Sequence, residues 1–105
     1  MADRYQPIYL ISVVAKMLEV HPQTLRMYER QGFINPSRRG HIRLYCEADI
    51  ERLQQIRRFK EEMGVNLAGI DVILHMLDRM EELQNEIDKV RVRAKRRLTK
   101  LTEER

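Results

Sequence analysis

After Gly69 the chain runs to Arg105 without a single glycine or proline. The two residue types that most readily end a helix are therefore missing from its last third. Within that stretch Met76, Met80, Leu83, Ile87, Val90, Ala94, Leu98 and Leu101 step by 4, 3, 4, 3, 4, 4 and 3. Alternating steps of 3 and 4 place apolar side chains along one seam of an α-helix, the heptad pattern of a coiled coil. The doubled 4 around Ala94 is a stutter that locally unwinds a supercoil. A helix spanning 76–101 would be roughly 39 Å long at about 1.5 Å per residue, too long to fold back on so small a domain. Such a helix needs a partner, and the seam 76–90, made by Met76, Met80, Leu83, Ile87 and Val90, is the expected dimer interface.

The rest of the chain divides at Pro22, Gly32, Gly40 and Gly64. A short helix is expected from Ser12 as N-cap, with Val14, Met17 and Leu18 on its inner face. It cannot easily pass Pro22, because the residue before a proline is pushed out of the helical region. Pro22 instead suits the first position of a second helix, 22–31, capped by His21 and stopped at Gly32. Two short helices separated by a few residues around 19–21 make a helix-turn-helix, whose second helix normally reads DNA.

Segment 33–45 alternates like a strand at Ile42, Arg43 and Leu44, with turn residues Pro36, Ser37 and Gly40 before it. It is expected to form a small hairpin with its tip at 37–41, carrying Arg38, Arg39 and His41, with Arg43 and Tyr45 on the returning strand. A basic hairpin after a reader helix is the wing of a winged helix-turn-helix. Cys46 stands at an N-cap position, and Ile50, Leu53, Ile56, Phe59 and Met63 mark the buried stripe of a third helix. Asn66 caps a fourth. The expected fold is mainly α: a winged helix-turn-helix domain over 1–75, then a dimerisation helix with a basic tail over 76–105.

Charge follows the same division. Residues 1–60 hold eleven Lys/Arg against six Asp/Glu, residues 61–90 two against eight, and residues 91–105 seven against two. A basic front suits a surface that meets phosphate, although basic surfaces are also simply solvated. On the reader helix, Gln23, Thr24, Met27 and Arg30 can face outward, and Arg26 and the Tyr28 hydroxyl are candidate phosphate ligands. Arg43 and Tyr45 could clamp phosphate or merely stabilise the hairpin. Ser12 and Lys16 on the first helix are candidate backbone contacts. The basic tail admits DNA contact, protein contact or plain solvation.

The single cysteine excludes an internal disulfide framework and any multi-thiolate metal site. No apolar run approaches a membrane span, and residues 1–7 lack the features of a signal peptide, so a cytoplasmic, nucleoid-associated protein without membrane contact is expected. No cofactor is implied. Nothing assembles a nucleophile, a base and an oxyanion donor, so an enzyme is not expected.

Three motifs resemble the N-terminal domain of MerR-type regulators: Ile11-Ser12-Val13-Val14-Ala15-Lys16, Thr24-Leu25-Arg26-Met27-Tyr28-Glu29-Arg30-Gln31-Gly32 and Arg43-Leu44-Tyr45. Their order and spacing match over roughly the first 75 residues. Tyr9-Leu10-Ile11-Ser12, His21-Pro22-Gln23-Thr24-Leu25-Arg26 and Gly64-Val65-Asn66-Leu67-Ala68-Gly69-Ile70 resemble the heat-shock repressor (HspR) subgroup of that family. The resemblance implies a homodimer that binds an inverted repeat in double-stranded DNA and represses chaperone genes, with a DnaK-type chaperone as co-repressor. It maps Thr24, Arg26, Tyr28 and Arg30 onto the reader helix and Arg43 onto the wing. It also implies an antiparallel coiled coil reached through a break after the fourth helix, and no break is visible between Leu77 and Leu83. Two other functions fit the same domains: an architectural or excisionase-like DNA binder, and a coiled-coil protein-interaction module.

Overall fold

The computed structural model describes residues 3–103, so the outermost residues of the two expected domains, 1, 2, 104 and 105, lie outside it. A two-residue strand β1 (Tyr9–Leu10) leads into α1 (Ile11–Met17) and α2 (Pro22–Arg30). The hairpin β2 (Ser37–Arg39) and β3 (Ile42–Tyr45) follows, then α3 (Glu47–Glu61) and α4 (Leu67–Glu103). The chain divides between Asp71 and Val72 into two compact units, about one helical turn before residue 76.

In the first unit α1 starts two residues earlier than expected. Leu10 takes the N-cap position with extended backbone, and Ser12 lies inside the helix with no cap to make. The inner face is Val14, Ala15 and Leu18, while Met17 is 54% exposed. Helix α1 passes to α2 through Glu19, which adopts a left-handed φ of +54°. The start of α2 is as expected: Pro22 occupies its first turn, and the His21 Nδ1 accepts the Gln23 N–H at 3.0 Å. Gly32, at φ +79°, turns the chain after the Gln31 C-cap.

The sheet is antiparallel, in the order β1-β3-β2. The register Arg39↔Ile42 leaves Gly40 and His41 as a two-residue loop, with Gly40 at φ +64°. A positive φ at the first loop residue is what two-residue hairpin turns of the II′ kind require. Ser37–Arg39, expected in the tip, is itself strand, and the tip contracts to Gly40 and His41. Strand β1 was not anticipated. Tyr9 pairs with Tyr45 and Leu10 with Leu44, and the Ile8 N–H donates to the Tyr45 carbonyl at 3.0 Å.

Helix α3 begins after Cys46, whose N–H donates to the Asp49 carboxylate at 3.0 Å; Glu47 and Asp49 suit the dipole of the first turn. It buries Ile50, Leu53 and Ile56 at helical spacing. Met63 was expected in this stripe but falls beyond the last helical residue and is 63% exposed. Val14, Leu25, Phe33, Tyr45, Ile56 and Ile70 form the most deeply buried part of the unit. Burial of a side chain of this size contributes about 1.5–3 kcal/mol, and these residues come from β3, from the connection after α2 and from every helix.

Helix α4 is capped by Asn66, whose Oδ1 accepts the Gly69 N–H at 2.8 Å. It continues unbroken through 77–83 to Glu103, without the break that the family resemblance implies. Ile70 and Leu74 are buried, and beyond Leu77 its side chains are exposed. The exposed set includes the whole apolar seam: Met76, Met80, Leu83, Ile87, Val90, Leu98 and Leu101 are each at least 41% exposed.

Candidate nucleic-acid interface

Helix α2 is divided lengthwise by burial. Leu25 and Tyr28 face the core, and the Tyr28 ring packs at a tilt on Phe33 with centroids 5.8 Å apart. Gln23 and Arg30 are exposed, and Thr24, Arg26 and Met27 are half-buried. Helix α2 thus keeps an outward face, most open at Gln23 and Arg30. Tyr28 does not share it. The residue is 6% exposed, and burial, then the nearby Glu61 carboxylate, raises its hydroxyl pKa. Tyr28 therefore serves the core chiefly through its ring, while the residue also lines an open pocket with His21, Thr24 and Arg57.

The wing is joined to α2 by one acidic residue. Glu29 accepts the Arg43 Nε–H at 2.5 Å through one carboxylate oxygen and an Arg38 Nη2–H at 2.9 Å through the other. Arg38 and Arg43 face each other across the hairpin, so one carboxylate holds both strands. The Glu29 side chain is only 16% exposed. Burial pushes its carboxyl pKa up, but the hydrogen bonds and charges of Arg43 and Arg38 outweigh that and hold it below the ordinary carboxylate range. Charge-assisted bonds of this kind are roughly twice as strong as neutral ones.

Tyr45 sits behind this cluster. It is fully buried, and its hydroxyl has no hydrogen-bond partner. Burial raises its pKa, with the Glu29 charge adding to the effect. The phosphate-clamping alternative for Tyr45 is thereby corrected: its ring fills the core under β1 and β3. Arg43 is turned toward Glu29 and half-buried, while Arg39 and His41 are exposed at the hairpin end, and Arg39 has no ion-pair partner among the described residues. Ser12 and Lys16 are exposed on α1.

Three positioning residues were missed in the sequence. In the sequence Glu29 stands only within a motif, although an acid among the cations of α2 is itself a signal. Arg52 donates to the Phe33 carbonyl at 2.6 Å, tying α3 to the chain leaving α2. Arg57 donates to the Leu18 carbonyl at 2.8 Å and pairs with Glu61 at 3.2 Å, tying α3 to the helix-turn-helix turn. Both arginines lie on α3, and only the tertiary fold brings those carbonyls to them. Cys46 is buried, and burial raises its thiol pKa. Among the described residues no cluster of three or more His, Cys, Asp or Glu is placed to hold a metal ion, and no helix is long and apolar enough to cross a membrane.

Two short helices, a reader face and a hairpin braced against its end define a winged helix-turn-helix protein of the DNA-binding class. Residues 9–77 match the MerR HTH family of regulatory proteins, and the chain belongs to that family of DNA-binding transcriptional regulators. It is 44% identical over 79 residues to a Streptomyces coelicolor protein named as a heat shock protein, HspR, covering 74% of this chain and 52% of that one. It is 41% identical over 69 residues to the HTH-type transcriptional regulator ZntR of Escherichia coli, covering 64% of this chain and 48% of that regulator. The chain thus spans about half the length of these curated relatives. Among solved structures it resembles a MerR-family transcriptional regulator from Bacillus cereus, with TM-score 0.57 and 28% identity over 90% of this chain and 75% of the other. It shares its fold with HiNmlR, a MerR-family regulator lacking the sensor domain and solved bound to promoter DNA, with TM-score 0.60 and 20% identity over 81% of this chain and 71% of that one.

Proposed function

We propose that this chain represses heat-shock and chaperone genes by binding an inverted-repeat operator as a homodimer, with a DnaK-type chaperone as co-repressor. The observation that carries the reading is the Glu29 bridge, which fixes the hairpin to the last turn of the reader helix so that both meet DNA as one rigid unit. Gln23, Thr24 and Met27 read base edges, and Arg26, Arg30, Arg39, His41, Lys16 and Ser12 hold phosphates. Arg38 and Arg43 act mainly by holding the wing in place. The exposed seam of α4 supports the homodimer, because an apolar stripe of that length is costly to leave in water. The heat-shock assignment and its chaperone partner rest on the relationship to the Streptomyces protein. The protein acts on DNA in the bacterial cytoplasm and catalyses no reaction.

Fluorescence anisotropy with an inverted-repeat duplex from a chaperone-gene promoter and a scrambled duplex tests this reading. Preference for the repeat by about a thousandfold or more at physiological salt is expected of a specific repressor. Equal affinity for the two duplexes would sink it.

A further inference from the structure

We propose that the basic end of α4 is a second nucleic-acid contact, in which Lys89, Arg93, Arg96 and Lys100 grip the phosphate backbone of double-stranded DNA. The proposal rests on the DNA-binding reading above and adds a surface to it.

Residues 89–100 hold seven Lys/Arg and no Asp/Glu, directly after a stretch, 78–88, with five Asp/Glu and one Arg. All the side chains of 89–100 are exposed on one continuous helix. Lys89, Arg93, Arg96 and Lys100 recur at steps of 4, 3 and 4 and fall within an arc of about 60° at about 100° per residue. They form a straight cationic ridge roughly 16 Å long. One DNA strand presents a phosphate about every 3.4 Å of helix axis, so the ridge faces about five phosphates.

Three features separate this ridge from an ordinary solvated helix face. First, no acid lies within the ridge, Glu86 and Glu103 standing only at its two ends, and among the described residues none of the four cations forms an ion pair, whereas Arg79 pairs with Glu82 at 3.0 Å. Second, Lys89–Arg93, Arg93–Arg97 and Arg96–Lys100 are like-charge pairs at four-residue spacing, which destabilise a helix. The helix dipole rewards cations only in the last turn, and so accounts for Lys100 but not for Lys89, Arg93 or Arg96. Third, the ridge lies about 130° around the helix from the apolar seam, so covering the seam leaves the ridge open. A polyanion relieves the repulsion that the sequence has built in. DNA is the polyanion that this protein meets.

The test is binding of the full chain to a random-sequence duplex of about forty base pairs across a salt series, where only phosphate contacts are read. The variant Lys89→Gln, Arg93→Gln, Arg96→Gln, Lys100→Gln should weaken binding at least about tenfold. It should also lower the slope of log K against log salt by about 0.9 for each lost contact, hence by roughly 3–4 per chain. Arg91→Gln with Lys95→Gln removes two cations off the ridge and should leave the slope unchanged. Circular dichroism should show α4 intact in both variants. Single Arg96→Gln, expected to lower the slope by about 0.9, decides the matter if the fourfold variant unfolds. An unchanged slope overturns the proposal. So does an equal loss per charge in the on-ridge and off-ridge variants, or a loss confined to phosphatidylserine vesicles with DNA binding intact. Operator preference is read separately. If it is absent while the ridge effect stands, the repressor reading fails and this one survives; if it is present while the ridge effect is absent, the reverse holds.

Discussion

Glu29, in the last turn of α2, accepts the Nε–H of Arg43 from the middle of β3 at 2.5 Å, across fourteen residues of chain. Its other oxygen takes Arg38 from the neighbouring strand. The reader helix and the wing are thus held by a single carboxylate, and the position of the hairpin depends on the charge of that group.

The carboxyl pKa of Glu29 is lowered in the folded protein, so the bridge contributes stability above the ordinary carboxylate value of 4.5. That contribution is lost as pH falls from there through the folded pKa, because protonation removes the charge that holds both arginines. Urea unfolding between about pH 6 and pH 3 should therefore show a steeper loss of stability for the wild type than for Glu29→Gln, since unfolding takes up the proton that Glu29 resists. Parallel pH profiles for the two proteins would show that the bridge adds nothing.

Tyr45→Phe tests the reassignment of Tyr45. Its hydroxyl is buried without a partner, and an unpaired buried hydroxyl costs about 1–3 kcal/mol. Removing it should leave stability unchanged or raise it by up to about 1 kcal/mol, with no change in DNA affinity. A drop in affinity or a flatter salt slope would return Tyr45 to the DNA contacts.

Arg26 and Arg43 should respond differently to alanine. Arg26→Ala, as a proposed phosphate ligand, should flatten the salt slope by about 0.9 and leave unfolding nearly unchanged. Arg43→Ala takes away one of the two partners of a mostly buried carboxylate, so it should also lower unfolding stability by about 1–2 kcal/mol. Denaturation and anisotropy on the same two variants separate these effects, and identical behaviour would contradict the Glu29 bridge.

Leu83→Asp with Ile87→Asp places two charges on the exposed seam of α4. If the proposed homodimer forms through this seam, analytical ultracentrifugation should show a dimer for the wild type and a monomer for the variant, with a steep fall in operator affinity, since each half-site is then bound alone. Unchanged sedimentation would exclude the seam as the dimer contact.

What the sequence determined by itself is what neighbours along the chain decide. Pro22 with the His21 cap, Gly32 after Gln31, Asn66 before Leu67, and the uninterrupted heptads were legible because capping, left-handed turns and helical periodicity act over four residues or fewer. The reader face, the hairpin and the seam followed from them. Only the tertiary structure decided the rest. Strand β1 is two residues long and exists because Tyr9 meets Tyr45, thirty-six positions away. That pairing starts α1 at Ile11 and moves Ser12 off the cap. It also covers Tyr45, whose motif reads as a phosphate clamp until burial shows which way the ring points. Glu29, Arg52 and Arg57 acquire their partners across 14, 19 and 39 residues. Local propensity carries no information about contacts at that separation, because they form only once the hydrophobic core has brought the segments together.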